Sequence, residues 1–219
     1  MRGRTAIKVA LDIAMAAVLV AVMATALVQE APHEWLGIGL FVLMATHVVF
    51  NRKWFVAVFR GRRDALRVVQ IIVIVGLVAC VIGQVASSLV LSKHAFGFLP
   101  ALPGAGWARR VHMLCSYWAF VFAFAHAGMH MRTPKGMLPW QVWAVRIVWA
   151  GIACFGVISF VQLDLWRYLA GQVQFAFADY GAPLALVAAR YASVAVLIAG
   201  VFHYVRVGIA SLGKTRSQG

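Results

Sequence analysis

The chain has 219 residues, 63% of them hydrophobic and 12% charged, with a formal net charge of +14 and a mean hydropathy of +0.88. So apolar a composition excludes an ordinary soluble domain and points to an integral membrane protein. The basic excess does not indicate nucleic acid, because Lys and Arg gather in short segments between long apolar runs rather than on one soluble face.

In chain order, the apolar runs predict six membrane helices near residues 6–28, 33–51, 68–91, 111–131, 143–161 and 184–205. The first follows Met1-Arg2-Gly3-Arg4 and carries Asp12. It is longer than a signal-peptide core, so the expectation is an uncleaved span, with cleavage near Ala31 as the alternative. The second contains His33 and His47, and Arg52 and Lys53 follow it. Between the third and fourth, residues 92–110 are apolar but broken by Gly and Pro, and predict a segment that lies in the interface or covers the outer site, with Trp107 at headgroup depth. The fourth contains His112, His126 and His130. Between the fifth and sixth, residues 162–183 mix Leu165, Trp166, Tyr168, Phe175 and Phe177 with polar residues, as an interfacial helix or a partner-docking surface would.

With the N- and C-termini cytoplasmic, 15 of the 20 basic residues fall on the inner side and five outside, which sets the expected orientation of a multi-pass inner-membrane protein. The second and fourth spans then run in the same direction. His33 and His112 come at their outer ends, and His47 and His126 toward the inner side.

The two histidines of each span are fourteen residues apart. In a helix this is a rise of about 21 Å and a phase only about 40° short of four turns, so both rings share a face. Polar groups within a span are costly and default to a functional reading. Two neutral imidazoles fill the axial positions of haem b and favour one-electron transfer over oxygen chemistry. The expectation is therefore two non-covalent haem b groups, the outer on His33 and His112 and the inner on His47 and His126. His130, one turn past His126, is an alternative inner ligand, or else a propionate or quinone contact.

Arg109 and Arg110 just before His112, and Arg52 just after His47, are candidate propionate partners. Gly37, one turn inward of His33, is a candidate position for close approach of a porphyrin. His94 and His203 are not counted as ligands. Cys80, Cys115 and Cys154 lie in apolar runs and form no C-x-x-C-H, so covalent haem attachment is excluded and buried packing is expected. No nucleotide-binding glycine motif is present.

The run His33-Glu34-Trp35-Leu36-Gly37, continuing through His47 to Asn51-Arg52-Lys53-Trp54, resembles the flavinylation-associated membrane cytochromes, a bacterial family. So do Phe96-Gly97-Phe98, Arg110-Val111-His112 and His126-Ala127-Gly128-Met129-His130, with Asp12 in its Leu-Asp-Ile context. The resemblance covers residues 5–135. It implies a diheme cytochrome b-like four-helix core over 1–135, with 136–219 adding two further membrane helices. It also implies a bacterial inner (cytoplasmic) membrane and electron transfer to an extracytoplasmic, flavin-bearing redox protein.

The expected class is thus an all-α integral membrane protein with six spans, surrounded by lipid. It would act as the cytochrome b subunit of a membrane oxidoreductase, relaying electrons between the quinone pool and that redox partner. The rivals are a stand-alone oxidoreductase of ferric reductase or superoxide oxidase type, and a transporter whose histidines bind a metal ion in transit.

Overall fold

The computed structural model describes residues 2–24, 30–58, 64–98, 100, 102–131, 136–175 and 181–215. Among these residues, regular structure is entirely α-helical: α1 (Arg2–Met23), α2 (Glu30–Val58), α3 (Ala65–Leu91), α4 (Ala105–His130), α5 (Pro139–Gln162), α6 (Leu165–Leu169) and α7 (Leu184–Thr215). All but the short α6 are long and apolar enough to cross a membrane. Their outward faces stay apolar, with Ile13, Ile72, Ile82, Ile147 and Val161 exposed, as suits helices surrounded by lipid. Arg60, Arg62, Arg63, Arg132, Lys135 and Arg216, and the expected division after residue 135, lie outside the described residues.

Local chemistry sets the helix ends. Asp64 caps α3, its carboxylate accepting from the Arg67 amide at 2.8 Å. α5 opens with Pro139, and the Gln141 side chain reaches back to the Leu138 amide at 3.0 Å. α4 begins earlier than the sequence predicts. Gly104, at φ 103°, turns the chain in the left-handed region that side chains resist, and the helix starts one residue later. Trp107, Arg109 and Arg110 therefore lie on the first turns of α4 and not in a loop.

α4 packs closely along both α3 and α7, and α5 along α7. Gly128 on α4 lies directly against the Ala199 backbone of α7, and Gly156 on α5 against the Ser193 backbone. Small residues permit this approach, and dispersion then rewards it where lipid removes the usual hydrophobic advantage. A buried cluster includes Met23 and Ala24 at the end of α1, Tyr117 and Phe120 of α4, Leu165 and Tyr168 of α6, and Tyr191 and Val194 of α7. Tyr117 stacks on Tyr168 at 4.2 Å between centroids, and Trp118 Nε1 donates to the Leu169 carbonyl at 3.0 Å. The segment through α6, in which Leu165, Tyr168 and Val173 are buried, is thus docked on its own bundle. Trp166, Arg167 and Phe175 face outward, and Phe177 lies outside the described residues. Cys80 is buried and Cys115 partly buried, but Cys154 is exposed on the outer face of α5, contrary to the expectation of a buried packing role.

Candidate cofactor site

α2 is held differently from the other long helices. Its close backbone packing is with α1, whereas α3 packs along α4 and α4 along α7. Polar ties fasten α2 at two levels. At its start, the Glu34 carboxylate accepts from the Ser92 hydroxyl (2.7 Å) and from the amides of Lys93 (2.9 Å), His94 (3.1 Å) and Ala95 (2.8 Å). Glu30 pairs with Lys93 at 2.6 Å. Near its other end, Lys8 Nζ donates to Asn51 Oδ1 at 2.8 Å and to the Phe50 carbonyl at 3.0 Å. One turn along both helices, Asp12 meets His47 at 2.8 Å. Lys8 and Asp12, like His47 and Asn51, are four residues apart, so each pair shares a helix face.

Across the space between α2 and α4, the imidazoles meet in two pairs. His33 and His112 have ring centroids 6.2 Å apart, and His47 and His126 6.5 Å. Fourteen residues of helix put the two levels about 21 Å apart. Beside the upper level, Gly37 is half-buried, yet a Cβ built there meets nothing within 4 Å, and the same holds at Gly39. Gly37, one turn from His33, therefore leaves open volume on that side of α2, whereas Gly39 is exposed on another face of the helix.

Two of the four rings have their Nδ1 atoms engaged by chemistry that fixes the tautomer. A carboxylate only accepts, so His47 carries its proton on Nδ1 toward Asp12. Ser87, fully buried on α3, gives its hydroxyl proton to the Gly83 carbonyl at 2.7 Å. Its oxygen is then free to accept from His112 Nδ1 at 3.4 Å. In a neutral ring so bonded, Nε2 keeps its lone pair, the form an imidazole needs to bind a metal. The Nδ1 atoms of His33 and His126 are buried without a hydrogen-bond partner. A stitch between α3 and α4 secures the His112 backbone: Gln84 Nε2 donates to the His112 carbonyl (2.7 Å) and to Ser116 Oγ (2.6 Å).

The other candidates fall around this frame. His130, exposed on the last turn of α4, has its ring 4.7 Å from His126 and 5.4 Å from Trp54. Trp54 also lies 5.8 Å from His126. The ring opposing His47 is that of His126. Arg109 and Arg110 are exposed at the start of α4, the Arg109 guanidinium lying 5.4 Å over the Phe175 ring. Arg52 is exposed near the other end of α2. His94 is exposed in the segment tied to Glu34, and His203 stands on α7 with a buried, unpartnered Nδ1. Among the described residues, no group of three or more His, Cys, Asp or Glu is gathered as a metal cage.

Sequence reasoning noted Asp12 and Glu34 without assigning them these bonds. The matched four-residue intervals of Lys8/Asp12 and His47/Asn51 were a usable signal. Ser87 and Gln84 offered none, since a single hydroxyl or amide in a span resembles many others.

No family model matches the chain, and neither the curated proteins nor the solved structures contain a match.

Proposed function

We propose that the chain is a membrane cytochrome b carrying two haem b groups, one on His33 and His112 and the other on His47 and His126. It would pass electrons across the bilayer between the quinone pool and an extracytoplasmic, flavin-bearing redox protein. The observation that carries this reading is the separation of the paired rings. An imidazole–metal bond of about 2.0–2.1 Å, added to the nitrogen's offset from the ring centre, puts two rings on opposite sides of one ion ~6.3 Å apart. A tetrahedral ion would draw the same centroids in to roughly 5.1 Å. The observed 6.2 and 6.5 Å fit the first geometry, in which a flat macrocycle supplies the remaining ligands. The free space beside Gly37 and the lone pairs left on His47 and His112 Nε2 support the same assignment.

Haem would supply reversible one-electron chemistry at each level, with both axial positions filled so that oxygen finds no open site. The chain's own work is positional. Asp12 and Ser87 hold two of the rings in ligating tautomers. The Lys8–Asn51 tie and the Glu34 cluster hold α2 at the distance the pairs require. Arg109, Arg110 and Arg52 stand near the ends of the site as cations for carboxylates, and His130 and Trp54 border the His47 level, where a quinone ring would come nearest to it. The intended orientation puts His33 and His112 on the outer side, following the basic-residue asymmetry.

The test is the pigment of protein purified from haem-replete cells. Two haems per chain are expected, and His33→Ala and His47→Ala should each lose one, leaving survivors with different reduction midpoints. A colourless wild-type protein, or unchanged haem content in both variants, would remove the assignment and favour a metal-transport reading.

A further inference from the structure

The two ring pairs differ in what their Nδ1 atoms touch: one meets a carboxylate directly, whereas the carboxylate nearest the other, Glu34 beside His33, is taken up by one hydroxyl and three backbone amides. His47 Nδ1 lies 2.8 Å from an Asp12 carboxylate oxygen. Its counterpart at the other level, His112, meets the neutral Ser87 hydroxyl at 3.4 Å, and His33 and His126 Nδ1 meet no partner. Asp12 is otherwise out of place. It interrupts an apolar span, and 55% of its side chain is exposed on a helix face that lipid would surround, where a carboxylate is expensive to keep. A tie between α1 and α2 does not require that expense, because Lys8 and Asn51 already provide one a turn away.

On the diheme reading above, we infer that Asp12 is a positioning residue that sets the reduction potential at the His47–His126 level below that at the His33–His112 level. A carboxylate accepting the Nδ1 proton pulls the imidazole toward imidazolate and makes it a stronger donor. A more basic axial ligand, with a negative charge behind it, stabilises ferric over ferrous iron and so lowers the potential. The competing cations do not cancel this. Arg52 and Lys53 at one end, and Arg109 and Arg110 at the other, are all exposed, where salt screens them similarly. Lys8 keeps its charge in its bonds to Asn51 and the Phe50 carbonyl, but it lies a turn away, and only Asp12 reaches a ligand nitrogen directly. With both groups bound, an electron would pass from the His47 level to the His33 level, one centre being oxidised as the other is reduced with no proton taken up. Under the proposed orientation this direction is outward, toward an extracytoplasmic acceptor.

The experiment is a redox titration of the pigmented protein followed by its visible spectrum, with the two midpoints assigned through the single-haem His33→Ala and His47→Ala proteins. The lower midpoint should belong to the His47 level; the reverse order overturns the inference. In Asp12→Asn, the one-electron reduction equilibrium at that level should rise at least tenfold, about 59 mV for one electron, while the other midpoint stays put. Two retained haems with both midpoints unmoved would defeat the inference and leave the diheme assignment intact. If Asp12→Asn loses that haem, Asp12→Glu decides: a restored haem with the lower midpoint supports the inference, and a restored haem with the higher one overturns it. If neither variant retains the haem, electron paramagnetic resonance of the ferric wild type decides. An imidazolate-like ligand field at the His47 level supports the inference, and identical fields at both levels overturn it. A wild type without haem fails the diheme reading itself.

Discussion

α4 has two faces, and they are built on opposite rules. Toward α7 it offers Gly128, which lies against the Ala199 backbone with no room for another atom, and Ala125 and Met129 are buried nearby among Val73 of α3 and Ile198 and Phe202 of α7. Toward α2 it offers His112 and His126, whose imidazoles face those of the opposite helix across a space where Gly37 has no neighbours. One face is closed by missing side chains. The other is propped open by large polar ones and by ties at its two levels. The lesson concerns small residues in a membrane bundle: the same residue type marks the tightest contact in one place and reserved volume in another. What surrounds the residue decides which.

The contrast can be broken most severely at Gly128. Gly128→Leu drives a side chain into the Ala199 backbone, which cannot give way as a flexible side chain would. A loss of about 3 kcal/mol or more is expected, within the range of severe overpacking. It is checked by thermal unfolding in detergent and by the yield of folded protein. Gly156→Leu, against the Ser193 backbone, should behave the same way.

A smaller effect is expected at the upper tie. Glu34→Ala removes the acceptor for one hydroxyl and three amides, and a net cost of about 2 kcal/mol follows for charge-assisted bonds. Limited proteolysis should find residues 92–98 cut sooner. If the diheme assignment holds, the His33-level pigment should be lost on heating before the other. Unchanged proteolysis would mean that the segment is secured without Glu34.

The smallest effect on the fold, and the sharpest contrast with Gly128, is expected at Gly37. Gly37→Leu enters open space, so the haem-free protein should unfold within about 0.5 kcal/mol of wild type, in line with the small cost of unstrained surface changes. Its haem content, however, should fall toward one per chain. Retention of both haems would show that the space beside Gly37 is not the volume the cofactor uses.

How much of this was legible in advance differs from element to element. All six long helices could be read from their apolar runs, because a span must satisfy every backbone group internally and so needs a long unbroken stretch. The start of α4 was misjudged by six residues. The segment from Ala105 to Arg110, with its Gly106 and paired arginines, breaks the apolar run, and only the left-handed turn at Gly104 shows where the helix begins. The segment through α6 looked interfacial because its aromatics alternate with polar residues. Which of those aromatics turn inward depends on Tyr117 being there to stack on Tyr168, and residues so far apart in the chain carry no mark of each other.

At the site, the fourteen-residue intervals already placed His33 with His47 on one helix face and His112 with His126 on another, since helical periodicity is local and strict. Composition and charge likewise fixed the membrane class and the number of spans. Only the tertiary structure decided that the two faces oppose one another, that the ring centres stand 6.2 and 6.5 Å apart, and that Asp12 and Ser87 back one ring at each level. Periodicity orients a side chain about its own helix axis. The distance to a neighbouring helix is set by what packs or props between the two, and that comes from residues remote in the chain.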